Sequence, residues 1–421
     1  MNKSNPLKRT LGFPILTLYG LGTILGAGIY VLIGKVAATA GMFAPISFLL
    51  AAVLAGFSGY CYAALSSRFP QSAGEAAYIQ AAFGIKNLSS LIGWMVILTG
   101  VVSAATISNG FVGYLNQFVS IPEFWAISIM LTAMCGLACW GVSESVTAAA
   151  IVTGIELAGL LMVLVLSGTS LAELPARAHE LIPDISDGSI WFAILLGAFL
   201  AFYAFIGFED MVNMAEEVKE PERTLPKAIL TALAISSILY VLIALVAMMQ
   251  LPLAILQQST APMADILKQH SAQAGVIISL ISIVAVVNGA LVQIIMGARV
   301  LYGMARQGLA PVIFGKVNNR FKTPVLATVL ITIVVWVLAV ALPLTTLAKI
   351  TSFVIILVFL LVNVSLIKIL SKEARILQNP IPIDTKAMPI KTWVPYVATL
   401  MCLLFLSVQV YQLIMESAIS H

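Results

Sequence analysis

Apolar residues in this chain come in long runs separated by short polar stretches. A helix needs about 20 residues to cross a bilayer, and eleven runs reach or approach that length. They fall near 12–38, 43–66, 88–118, 122–140, 146–168, 190–217, 225–249, 274–305, 324–342, 346–369 and 393–415. Two of the eleven are interrupted. In the first run, Gly20 to Tyr30 reads Gly-Leu-Gly-Thr-Ile-Leu-Gly-Ala-Gly-Ile-Tyr, with Gly22, Gly26 and Gly28 near mid-span. Each glycine weakens a helix by about 1 kcal/mol relative to alanine. A broken helix at membrane depth is tolerated only inside protein or along a wet cavity. In the sixth run, Gly207 follows the aromatic cluster Phe202, Tyr203 and Phe205, and the acidic pair Glu209–Asp210 comes just after it. Spans 1 and 6 are five apart and cross the membrane in opposite directions. Paired interruptions of this kind predict an inverted-repeat transporter. Residues 1–170 then form the first repeat (spans 1–5), 171–372 the second (spans 6–10), and 373–421 a linker with span 11.

Composition places the whole chain in the membrane. It is 61% hydrophobic and 10% charged, with mean hydropathy +1.05, whereas soluble domains carry about 25% charged residues. The first apolar run is too long for a cleavable signal and leads straight into further spans. If the amino terminus is cytoplasmic, only Lys35, Arg177, Lys268 and Lys349 of the 22 basic residues face outward. This bias orients a multi-pass plasma (inner) membrane protein with its amino terminus inside. The net charge of +4 is small and dispersed, which argues against a nucleic-acid partner.

Nothing in the sequence suggests a metal, a cofactor or an enzyme. The four cysteines, Cys61, Cys135, Cys139 and Cys402, lie in apolar runs, and His179, His270 and His421 fall outside the spans. No nucleophile–base pair or phosphate loop is present. The string Gly20-Leu-Gly22-x-x-x-Gly26 misses the dinucleotide fingerprint by one residue, and no strand precedes it.

Four motifs carry a family resemblance. Gly22-Thr-Ile-Leu-Gly-Ala-Gly-Ile-Tyr30 resembles the first-helix motif of the amino acid–polyamine–organocation (APC) permeases, and Phe202-Tyr-Ala-Phe-Ile-Gly-Phe-Glu209 their sixth helix. The run Ala215 to Ile229 is similar to the loop that follows, most closely in the branch of the bacterial relatives of cationic amino acid transporters. Gly297 to Arg306, Gly308-Leu-Ala-Pro311 and Thr323-Pro324 resemble the eighth helix and the loop beyond it. The resemblance implies an all-α leucine-transporter-type fold of two inverted five-helix repeats plus one extra C-terminal helix. It also implies secondary transport of amino acids or related amines. Many members have a twelfth span, outside the transport core. In some proton-coupled relatives a lysine stands about where Glu156 falls here, so their coupling mechanism does not carry over.

An amino acid needs partners for a carboxylate and an ammonium at mid-membrane. Breaking span 1 at Thr23, Ile24, Gly26, Ala27, Gly28 and Ile29 frees amide donors at a positive dipole end, which suits a carboxylate. Breaking span 6 between Phe202, Ala204, Phe205, Gly207 and Phe208 frees carbonyl acceptors for the ammonium, with Phe205 and Phe208 as gate candidates. Packing of small residues is the competing explanation for the glycines. Glu156, Glu209 and Asp210 are the coupling candidates, because carboxylates at membrane depth are expensive. Glu209 and Asp210 also fit as first-turn acids of a half-helix. The expected activity is proton-coupled symport of a zwitterionic amino acid, by a monomer or homodimer in contact with membrane lipid. Exchange of cationic amino acids or polyamines is the alternative. Asn288 and Gln293 in span 8 are polar at depth and either line the pathway or bridge helices. Glu75 is expected on an amphipathic segment at the inner surface. Glu216 and Glu217, near the inner end of span 6, are expected to be solvated or to pair with Arg68 or Lys219.

Overall fold

The computed structural model describes residues 9–26, 28–71, 74–140, 146–306, 308–318, 323–377 and 388–419. Sixteen α-helices occur among them: α1 Phe13–Leu25, α2 Gly28–Ala40, α3 Ala44–Arg68, α4 Gly74–Phe83, α5 Lys86–Leu115, α6 Glu123–Trp140, α7 Val146–Ser167, α8 Leu174–Arg177, α9 Gly188–Ala201, α10 Pro221–Gln250, α11 Leu253–Gln258, α12 Pro262–Lys268, α13 Ala272–Arg306, α14 Val325–Ala341, α15 Leu344–Leu377 and α16 Val394–Ile419.

Every apolar run of the sequence coincides with helix. Nine described stretches have the length and composition to cross a membrane; the first, Phe13–Arg68, contains both spans 1 and 2, and Val325–Ala341 is a shorter apolar helix where the sequence places span 9. Span 1 is divided into α1 and α2. Span 6 is divided more sharply. Helix α9 stops at Ala201, tightens into a 3-10 turn at Phe202–Phe205, breaks at Ile206–Gly207 and resumes as 3-10 helix over Phe208–Glu217. A regular second half-helix is the sequence expectation there, so the 3-10 geometry is a difference. Short helices α4, α8, α11 and α12 lie between the spans and have no counterpart in the apolar runs.

Local chemistry explains several boundaries. The Asp187 carboxylate accepts from the Ser189 amide at 2.9 Å and caps the start of α9, a preferred N-cap arrangement. Pro14, Pro45 and Pro221 stand in the first turns of α1, α3 and α10, where their missing N–H costs nothing. Around the divided helices, α3 packs on α9, α10 and α15, α5 packs along α13, and α1 packs on α7 and α10. The outward faces carry large apolar residues such as Ile129, Val165, Ile333 and Leu400, as a lipid-facing surface requires.

Arg68 pairs with Glu373 at 3.0 Å, joining α3 to α15. Arg68 thus pairs with Glu373 rather than with Glu216 or Glu217, for which the sequence allows either solvation or a pair with Arg68 or Lys219. Glu75 is also placed differently. It is 4% exposed in α4, held against the second half of span 6 rather than on a wet surface. The close approach of Gly74 to Val212 sets that contact, since a Cβ on Gly74 would stand 2.5 Å from Val212 Cγ2.

Candidate substrate site between the divided helices

The two interruptions meet. A Cβ on Gly28 would stand 2.4 Å from Ala204 Cα, and one on Gly207 would stand 2.4 Å from the Thr23 carbonyl oxygen. Gly207 has φ +126°, which L side chains rarely adopt. Span 1 and span 6 thus touch backbone to backbone at their breaks, and only glycine fits at both positions.

The freed polar groups are partly accounted for by side chains. Thr23 Oγ1 lies 2.9 Å from both the Gly20 and Gly207 carbonyl oxygens, so its one proton serves either. Tyr240 donates its hydroxyl to the Ile24 carbonyl at 2.8 Å, capping the end of α1. Tyr30 donates to the Glu156 backbone carbonyl at 2.6 Å, tying α2 to α7. The Glu209 carboxylate turns back and accepts from the Gly207 amide at 2.8 Å. That leaves the amides at the start of α2, which have no intrahelical partner by helix geometry, next to a small cavity.

The cavity is lined by Gly22, Thr23, Ile24, Gly26 and Gly28 on one wall. The other wall holds Ser103 and Ile107 of α5, Tyr203 and Ile206 of span 6, and Gly289, Val292 and Gln293 of α13. Its volume of about 20 Å³ holds roughly one water, so an amino acid requires the walls to part. Of the residues singled out in the sequence, Thr23, Ile24, Gly26 and Gly28 line it. Ile29 is fully buried behind it, and Ala27 lies outside the described residues. Phe202, Ala204, Phe205, Gly207 and Phe208 face elsewhere. Phe202 packs edge-on and Phe208 tilted against Phe359, and Phe205 packs edge-on against Tyr240 at 5.0 Å. The cavity-lining residues of span 6 are instead Tyr203 and Ile206.

The three acidic candidates lie off the cavity wall. Glu156 is fully buried in α7, and neither carboxylate oxygen has a hydrogen bond with sound geometry among the described residues. Asn288 of α13 is near enough to interact with it. Glu209 and Asp210 sit within electrostatic reach of each other and of Glu75. Among the described residues no group of three or more His, Cys, Asp or Glu side chains converges as a metal site. Ser103, Ile107, Tyr203, Ile206, Gly289 and Val292 were not singled out as site residues. Gln293 had a signal, its polarity at membrane depth.

Comparison with known proteins decides the family: the amino acid permease profile matches residues 11–418. The chain belongs to the amino acid permease family. The motif resemblance is therefore shown, and with it the all-α leucine-transporter-type fold and membership among transporters rather than enzymes. Similar proteins include a vacuolar cationic amino acid transporter of Arabidopsis thaliana (cationic amino acid transporter 2), 32% identical over 86% of this chain and 60% of its own length. The methylthioribose transporter of Bacillus subtilis is 29% identical over 96% of this chain and 89% of its own. The branched-chain amino acid permease of the same organism is 29% identical over 94% and 87%. The chain spans about 60% of the length of the plant cationic amino acid transporters it matches.

Proposed function

We propose that this permease carries a zwitterionic amino acid by alternating access, coupled to a proton. The observation that carries the reading is the meeting of the two broken helices at a cavity that no acidic side chain lines. Amides at the start of α2 suit the substrate carboxylate, and carbonyls at the end of the first half of span 6 suit its ammonium. A cationic side chain in the cavity would lack a counter-charge, which disfavours the cationic-substrate alternative despite the names of the plant relatives. Glu156 is the proposed proton carrier. Burying an unpaired carboxylate is costly, and a proton removes that cost. Glu209, bonded to the Gly207 amide, and Asp210 beside it brace the break and are secondary coupling candidates. In this reading residues 1–170 and 171–372 are the inverted repeats and 373–421 carries the appended span. The amino terminus is cytoplasmic in an inner membrane, and the unit is a monomer or homodimer.

The test is uptake of radiolabelled amino acids and amines into proteoliposomes, with and without an inward proton gradient, for the native protein and Glu156→Gln. Gradient-driven uptake of a neutral amino acid, lost in the variant, is the expected result. Uptake that ignores the gradient and needs internal substrate makes the protein an exchanger. If only arginine, lysine or polyamines move, the zwitterion assignment falls.

A further inference from the structure

Four polar side chains line the cavity: Thr23, Ser103, Tyr203 and Gln293. Three of them are already paired within the protein. Thr23 Oγ1 is held by the Gly20 and Gly207 carbonyls. Ser103 Oγ and the Tyr203 hydroxyl are 3.0 Å apart, and Tyr203 donates to the Ser103 carbonyl at 3.1 Å. Gln293 differs. Among the described residues its side-chain amide takes part in no hydrogen bond, although it carries two donors and an acceptor.

The surroundings make room for that amide. Gly289, Val292 and Gln293 stand at i, i+3 and i+4 on one face of α13, with no side chain at Gly289. Behind the amide is Gly100 of α5, where a Cβ would stand 3.1 Å from Gln293 Oε1. Ile107, Ile206 and Val292 on that wall are apolar, and its two hydroxyls, Ser103 and Tyr203, are bonded to each other. With those hydroxyls engaged by each other, the amide is left to water or to a bound ligand, and an unmade buried hydrogen bond costs more than a made one gains.

We propose that Gln293 is the specificity-determining residue of the site, reading a neutral, hydrogen-bonding side chain on the substrate such as a carboxamide or hydroxyl. The proposal rests on the amino acid reading of the site. It sets this permease apart from a carrier of purely aliphatic amino acids, because a site built to hydrogen-bond a group rejects the analogue lacking it far more strongly than an apolar pocket rejects an added hydroxyl.

The test compares near-isosteric pairs in proteoliposomes: threonine against valine, and asparagine against leucine. The native protein is expected to favour the polar member of each pair by about tenfold or more in uptake efficiency. Gln293→Met is expected to flatten or reverse both ratios, with a melting temperature close to that of the native protein as the check that the variant is folded. Gln293→Asn, which keeps an amide, is expected to retain the direction of preference. Equal or apolar-favouring ratios in the native protein overturn the proposal, as do unchanged ratios in Gln293→Met. A native protein that moves no amino acid at all overturns the reading of the site, and this proposal with it.

Discussion

At the scale of single residues, the site is set by where a side chain is forbidden. A Cβ on Gly22 would stand 2.1 Å from Thr153 Oγ1 of α7. Gly22→Ala is therefore expected to destabilise the protein by about 1–3 kcal/mol through overpacking and to reduce uptake. The obstacle is one removable atom, so Thr153→Ala should restore most of the loss. A melting curve and an uptake assay on the two single variants and the double variant check this. No restoration in the double variant means that the glycine serves something other than this contact. Gly28 and Gly207 are a different case. Their would-be Cβ atoms meet backbone, Ala204 Cα and the Thr23 carbonyl, and Gly207 adds its positive φ. Gly28→Ala and Gly207→Ala are expected to abolish uptake, with no rescue by any side-chain change opposite. These glycines were legible in the sequence because glycine at mid-span contradicts helix propensity. Ser103 and Gly289 were not legible, because small residues on a continuous span look the same whether they face a cavity or a neighbouring helix.

At the scale of elements, one change of geometry re-sorts the aromatic residues of span 6. In a 3-10 turn residues three apart eclipse. Phe202 and Phe205 share one face and are fully buried against Phe359 and Tyr240. Tyr203, and Ile206 at the break just after the turn, line the cavity. Sequence shows the interruption at Gly207 but not the switch of period from 3.6 to 3.0, which no residue type in Phe202–Phe205 announces. That switch is why the aromatic residues nearest the break are not those on the cavity wall. Phe205 instead supports Tyr240, whose hydroxyl caps the end of α1. Phe205→Leu is accordingly expected to lower the melting temperature while leaving the ranking of transported substrates unchanged. Tyr203→Phe removes the hydroxyl bonded to Ser103 on the cavity wall, and its effect belongs in KM. A changed substrate ranking in Phe205→Leu would return that ring to the site.

At the scale of the whole molecule, several ties join elements that are far apart in the sequence. The Thr10 and Leu11 amides donate to the Glu217 carbonyl at 2.9 and 3.0 Å, and the Lys219 amide donates back to Leu11 at 2.8 Å, strapping the chain before α1 to the end of span 6. Arg68–Glu373 joins α3 to α15. Glu75 in α4, outside the spans, is buried beside the second half of span 6. Burial pushes its carboxyl from 4.5 up to about 7, with the charge of Asp210 adding to the rise. The sign of the stability effect follows. A carboxyl whose pKa is higher folded than unfolded favours the folded state while it is neutral. That contribution is fully present below about pH 4.5 and is lost as pH rises through about 7. The packing around Glu75 is thus expected to loosen between pH 5 and 8, by up to about 3 kcal/mol for this one group. Glu75→Gln keeps the shape and cannot ionise. Its melting temperature should match the native protein near pH 5, exceed it at pH 8 and give the flatter curve. Parallel curves across that range would mean that Glu75 does not titrate in the folded protein over this interval.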